Sequence, residues 1–255
     1  MLFILTGGVQ TGKTRWLERL VAAMAEQGVP CCGVLAPGVW RVADAATETA
    51  LDGGAPEREK IGIDNVLLPG GDRVRFAMRR DSLARSHSDA LRAGVADDAG
   101  TVGAAGLSKA TTQSDRASLG WAIFDDALAC VNAHFESLAS ESESIGGAPS
   151  ESAAPCGLLV VDELGRLELQ GGRGGGLEAA LRLLDKGPTP RFPHALVVVR
   201  DWLVGEAEQR FEPVWGAPRV IVPDEAGRAA VETAFSMRAC DRGQTADRVQ
   251  TADRG

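Results

Sequence analysis

Gly7-Gly8-Val9-Gln10-Thr11-Gly12-Lys13-Thr14 satisfies the pattern G-x-x-x-x-G-K-[ST] at every required position. Its surroundings are the ones that pattern needs. Met1-Leu2-Phe3-Ile4-Leu5-Thr6 is a short apolar run of the kind that forms a buried parallel strand. Residues 15–27 read as an amphipathic helix with Leu17, Leu20, Val21 and Met24 on one face and Gly28 as its stop. Strand, glycine-rich turn and helix in that order predict an α/β fold with a mostly parallel sheet and a ligand at the carboxyl ends of its strands.

The chemistry of the loop follows from its residue types. Gly7 and Gly12 permit backbone conformations and close approaches that a Cβ obstructs, so successive N–H groups, from Gly8 through Val9, Gln10 and Thr11, can wrap phosphate oxygens. The helix that follows points its positive end at the same anion. Lys13 is placed to reach the β- and γ-phosphates, and the Thr14 hydroxyl to complete the coordination of Mg²⁺. The expected ligand is a nucleoside triphosphate, with Mg²⁺ as cofactor.

A second stretch supplies what the loop lacks. Leu158-Leu159-Val160-Val161-Asp162-Glu163 is an apolar strand ending in two acids. Read alone, it is a strand with a solvated end. Read with the loop upstream, Asp162 becomes a metal ligand on a strand expected beside the loop, acting through water. Glu163, the next residue, is placed to polarise a water that attacks the γ-phosphate.

Around these acids, Asp162-Glu163-Leu164-Gly165-Arg166-Leu167-Glu168-Leu169 resembles the D-E-[IL]-G-x-[ML]-E-[LM] signature of the cancer-related, or thermostable, nucleoside-triphosphatase family. The N-terminal loop, a hairpin like residues 61–78 and the strand Val197-Val198-Val199-Arg200 fall in that family's order. The resemblance covers residues 1–92 and 119–237 in scattered pieces. It implies a P-loop NTPase of RecA/AAA type, its sheet flanked by helices, that hydrolyses ATP, GTP and other triphosphates with low base selectivity. It also implies a catalytic role for Lys13 and Glu163, a γ-phosphate sensor at Arg200, and loop support from Glu168. One departure stands out. Where the family carries T-P-E-V-R, this chain has Ala36-Pro37-Gly38-Val39-Trp40-Arg41, without the acid and with the arginine displaced; Arg41 is the residue left to take that loop's role.

Three other readings fit parts of the same pattern. Asp162-Glu163-Leu164-Gly165 also matches the D-x-x-G of GTPase switches. Guanine selectivity needs an N-K-x-D element, however, and none of Lys13, Lys60, Lys109 and Lys186 follows an asparagine. A small-molecule or nucleoside kinase would use the arginines at 73, 75, 79, 80, 85 and 92 as a phosphate-clamping lid. A nucleotide-dependent adaptor with negligible turnover would use the insertions and tail for its partner.

The whole chain narrows the classes further. At 255 residues it can bury one sizeable core. A net charge of −8 argues against stable nucleic-acid binding or an anionic membrane surface. No apolar run reaches membrane-spanning length. The loop starts at residue 7, leaving no room for a signal peptide, and the five cysteines form no C-x-x-C pair. Cytoplasmic location with reduced thiols is the expectation. Whether an oligomer or protein partner is needed has no signature in the sequence.

The organisation expected along the chain is a single domain over 1–239. Residues 29–35 predict a second strand, ended by Ala36-Pro37-Gly38, and residues 61–78 a hairpin turning at Pro69-Gly70-Gly71-Asp72, added at a sheet edge. Phe124, Leu128, Val131, Phe135 and Leu138 recur at helical spacing, as do Leu177, Leu181 and Leu184. Residues 195–199 and 220–222 predict further strands, the latter followed by a helix from about Asp224. Polar, small-residue stretches predict flexible insertions at about 93–118 and 139–156. The tail, 240–255, repeats Gln-Thr-Ala-Asp-Arg and is expected to be disordered.

Overall fold

The computed structural model describes residues 1–42, 58–82, 120–144, 157–170 and 175–236. The strands are β1 (Leu2–Leu5), β2 (Cys31–Leu35), β3 (Gly38–Val42), β4 (Arg58–Leu68), β5 (Asp72–Arg79), β6 (Trp121–Ile123), β7 (Leu158–Leu164), β8 (His194–Val199) and β9 (Arg219–Ile221). The helices are α1 (Lys13–Glu26), α2 (Asp125–Ser144), the single turn α3 (Arg166–Leu169), α4 (Glu178–Asp185), α5 (Val204–Trp215) and α6 (225–236).

All nine described strands join one sheet in the order β6-β5-β4-β2-β7-β8-β1-β9, with β3 also on β4. From β2 through β9 every pairing is parallel. On the other side, β2–β4, β3–β4, β4–β5 and β5–β6 are antiparallel. The sheet is therefore mixed, and the antiparallel part is larger than the single added hairpin expected. β2 ends at Leu35, as expected, and Ala36 and Pro37 lie outside any strand. What was not expected is that the chain kinks there and starts a new strand, β3, which also pairs with β4, with the Asp64 N–H donating to the Pro37 carbonyl across the kink at 3.0 Å.

Alternation along the strands sorts the core into two layers. Phe3 and Leu5 of β1, Leu158 and Val160 of β7, and Leu196 and Val198 of β8 face α1 and α6, where Leu17, Leu20, Met24 and Val231 meet them. Leu2, Ile4, Leu159, Val161, Val197 and Val199 face α2, α4 and α5, packing on Phe135, Leu184 and Phe211. A side chain of this size taken fully out of water stabilises the fold by roughly 1.5–3 kcal/mol. The two layers fix both the sheet and the direction in which α1 points.

The helical spacing at Phe124 to Leu138 corresponds to α2, which runs on to Ser144, so the first residues of the stretch expected to be an insertion from 139 are helical. The reason is tertiary. Leu138 is buried and Glu141 forms an ion pair with the buried Arg191, so the polar last turns remain tied to the core. The expected insertion at 93–118, the rest of 139–156 and the tail at 240–255 lie outside the described residues. Cys31, Cys32 and Cys130 are free thiols, and burial pushes that of Cys31 up to about 12. Among the described residues no helix is long and apolar enough to cross a membrane.

Candidate active site

The shape of the loop between β1 and α1 is set by its glycines and by bonds to its own carbonyls. Gly12 has φ 82, a left-handed conformation that glycine adopts without steric cost, and it is the residue that turns the chain into α1. The first helical bond runs from Trp16 N–H to the Gly12 carbonyl at 2.9 Å, so the amides ahead of it are left facing the loop. No acid occupies the first turn of α1 to compete for that positive end. The Lys13 ammonium crosses the loop and donates to the carbonyls of Gly7 and Gly8, both at 2.7 Å. The Thr11 hydroxyl donates to the Gly8 carbonyl at 3.0 Å, and Gln10, with φ 61, makes the tip. Val9 is 77% exposed there, which leaves the loop open to solvent.

Beside the loop, the turn into α6 is fastened to α1. The Trp16 indole N–H donates to the Asp224 carbonyl at 2.9 Å, and the Asp224 carboxylate accepts from Gly227 N–H at 2.7 Å, capping α6.

Asp162 and Glu163 stand at the carboxyl end of β7. That strand is not the neighbour of β1, as the sequence led one to expect: β8 lies between them. The strand separating loop from acids is thus the one that ends at Arg200. Asp162 continues the alternation of Leu158 and Val160 and so falls on the α1 face, where Thr14 lies in the first turn of the helix. The pairing then slips: Val161 opposes Val197 but Leu164 opposes Val199, so β7 holds an extra residue at Asp162–Glu163. This bulge returns Leu164 to the opposite core layer and leaves both acids at the strand's mouth. The Asp162–Glu163 peptide bond is cis.

The two acids have different surroundings. Asp162 is 3% exposed. Burial is the largest influence on its carboxyl and, with the nearby charge of Glu163, raises it to about 6; the Ala36 amide, the Thr14 hydroxyl and the charge of Lys60 act against that rise. The Ala36 N–H donates to Oδ2 at 3.0 Å, so the kink after β2 is part of the site. Glu163 is more open, and its Oε1 accepts from Nε of Arg200 at 2.6 Å.

Glu168 takes no part in this cluster. It is buried, its Oε2 accepts from Gly165 N–H at 2.8 Å and its Oε1 from Leu177 N–H at 2.9 Å, which ties the loop after β7 to the start of α4. Arg41 meets Glu59 across the β3–β4 pairing at 3.5 Å. Of the arginines read as a lid, Arg73 and Arg75 pair with Asp64, and Arg79 with Glu59 and Asp81. Arg85 and Arg92 lie outside the described residues.

One residue close to the acids was given no role by the sequence reading. Lys60, on β4, is half-buried, and Glu163, Asp162 and Arg200 are the charges that act on it. Local pattern gives it no signature, because strand register alone carries it to the site. No group of three or more His, Cys, Asp or Glu that could hold a metal occurs among the described residues. Any cation here would depend on hydroxyl, carboxylate and ligand oxygens.

No family model matches the chain, and no curated protein matches it. Among solved structures, the chain is similar to the solution structure of a human cancer-related nucleoside triphosphatase. The two share 19% sequence identity with a TM-score of 0.45, over 93% of this chain and 96% of that one.

Proposed function

We propose that this chain is a Mg²⁺-dependent nucleoside triphosphatase that releases phosphate from ATP, GTP and other triphosphates with low base selectivity. The observation that carries the reading is the meeting, at one sheet edge, of the Gly7–Thr14 loop with Asp162 and the Glu163–Arg200 pair. These parts come from three strands far apart in sequence. A strand order that sets β8 between the loop strand and the acidic strand supports a P-loop fold of RecA/AAA type.

In this reading the loop amides and Lys13 bind the phosphates. Thr14 and Asp162 present hard oxygen donors, and a cation between them would relieve the burial that disfavours the Asp162 charge, so the residues fit Mg²⁺. When bound, that ion supplies charge neutralisation at the phosphate oxygens. Glu163 orients a water and accepts its proton as the oxygen bonds to the γ-phosphorus. The bond to the bridging β-γ oxygen breaks, leaving nucleoside diphosphate and phosphate. Arg200, held beside Glu163, stabilises charge on the departing phosphoryl group. The sequence holds no N-K-x-D element to read a guanine edge.

Phosphate release from ATP, GTP, CTP and UTP, with and without Mg²⁺ and with and without nucleoside acceptors, tests this. Mg²⁺-dependent release from all four without an acceptor is expected. Strict dependence on an acceptor would make the protein a kinase and overturn the reading.

A further inference from the structure

The antiparallel strands overhang the site. β2 ends at Leu35, opposite Val66 of β4, so residues 58–63 of β4 run on past the carboxyl edge of β2, held between β3 and β5. Lys60 lies in this overhang. Its stem packs against Gly38, where an added Cβ would come within 2.7 Å of its Cε. Its ammonium stands over the Trp121 ring, 5.6 Å from the centroid. Gly38 follows two residues after Ala36, whose N–H donates to Asp162, so the Lys60 stem lies on the side of the overhang next to the acids, and Glu163, Asp162 and Arg200 are the charges that act on its ammonium.

Among the described residues no salt bridge or hydrogen bond is made by the Lys60 ammonium. A half-buried ammonium keeps part of its water, and the part it has lost strengthens its attraction for an incoming anion. Burial indeed pulls its pKa below the usual lysine value, against the opposing influence of the two acids. Lysine binds phosphate as a compact charge with three donors. Two carboxylates already face the site, so a reacting phosphoryl group needs cations on more than one side.

We propose that Lys60 is a second phosphate-binding cation of this site, reaching the terminal phosphate of a nucleoside triphosphate from the hairpin side while Lys13 and the loop hold the phosphates from the other. This rests on the function proposed above. The terminal phosphate is the one assigned because Lys60 shares its surroundings with Glu163 and Arg200, the residues that face the reacting group, and not with the loop amides. Lys60 therefore discriminates triphosphate from diphosphate.

Isothermal titration of the full chain with Mg²⁺-ADP and with the Mg²⁺ complex of the β,γ-imido analogue of ATP tests this without turnover. Lys60→Met keeps the stem's packing, and Lys60→Gln serves if the methionine variant does not fold. Either should lose about tenfold or more in affinity for the triphosphate analogue, the size of one charge-assisted hydrogen bond, with ADP affinity nearly unchanged. Lys60→Arg should keep most of the preference. Equal loss for both nucleotides, or no loss for the analogue, overturns the role of Lys60 while leaving the triphosphatase reading in place. Failure of the wild type to bind either nucleotide overturns both.

Discussion

Arg200 donates from Nε to the Glu163 carboxylate at 2.6 Å, joining the ends of two neighbouring strands, β8 and β7. Both side chains are partly exposed, at 45% and 31%, so the pair contributes at most about 1 kcal/mol to stability. In the proposed mechanism its weight falls on chemistry. Glu163→Gln should retain triphosphate binding and lower turnover by about tenfold or more, as for a lost general base. Arg200→Ala should also lower turnover, and neither change should shift the melting temperature by more than a few degrees. Steady-state phosphate release and thermal melts check this; equal hydrolysis by wild type and Glu163→Gln contradicts the assigned mechanism.

Lys13 bonds two loop carbonyls that any phosphate-binding loop would have to release. Removal of the ammonium costs the free protein little, because Gly8 is exposed and Gly7 only partly buried, so water can replace it at both carbonyls. Lys13→Ala should weaken triphosphate binding by about tenfold or more while unfolding at nearly the wild-type denaturant midpoint. Unchanged affinity in a titration with the β,γ-imido analogue would remove Lys13 from the site.

Asp162 makes the free protein's stability depend on pH. Burial raises its folded-state carboxyl to about 6, above its unfolded value. Between those values the folded chain holds more protons than the unfolded one, so this group's contribution to stability is greatest below the unfolded value. It falls as pH rises through the window and levels off above about 6. A shift of this size corresponds to roughly 3 kcal/mol. Asp162→Asn should flatten that part of the profile and make the free protein more stable than wild type at pH 7.5, with little difference at pH 4. Urea unfolding across that range, with parallel slopes for the two proteins, would refute the assignment.

Glu168 is a structural acid, and its loss should be felt in folding. Glu168→Ala leaves the N–H groups of Gly165 and Leu177 without their acceptor, at a cost of roughly 2–4 kcal/mol. Gly176→Ala attacks the same contact from the other side. An added Cβ would stand 2.0 Å from Glu168 Oε1, and φ +70 is unfavourable for alanine. Denaturant melts of both variants measure the effect; wild-type stability in either would mean that this loop is not held as described.

Features encoded by neighbouring residues were legible in the chain. The loop at 7–14, the apolar face of α1 at Leu17, Leu20 and Met24, and the acids after Val161 follow from turn chemistry and short periodicities. β3 was hidden by Ala36-Pro37-Gly38, which reads as a strand end because a proline and a glycine mark kinks and stops alike. The length of α2 was hidden too, since Ser140 to Ser144 look like linker until Glu141 meets Arg191.

The sequence by itself determined the glycine-rich turn between strand and helix and the two acids at a strand's end, from which the proposed site is drawn, because backbone conformation, charge and strand alternation are local properties. Only the tertiary structure decided how those residues meet. Strand order put β8 between loop and acids, which brought Arg200 to Glu163. The β2 kink brought the Ala36 amide to Asp162, and the β4 register carried Lys60 to the site. Such neighbours are set by hydrogen-bond pairing between strands distant in the chain, and no local pattern encodes that pairing.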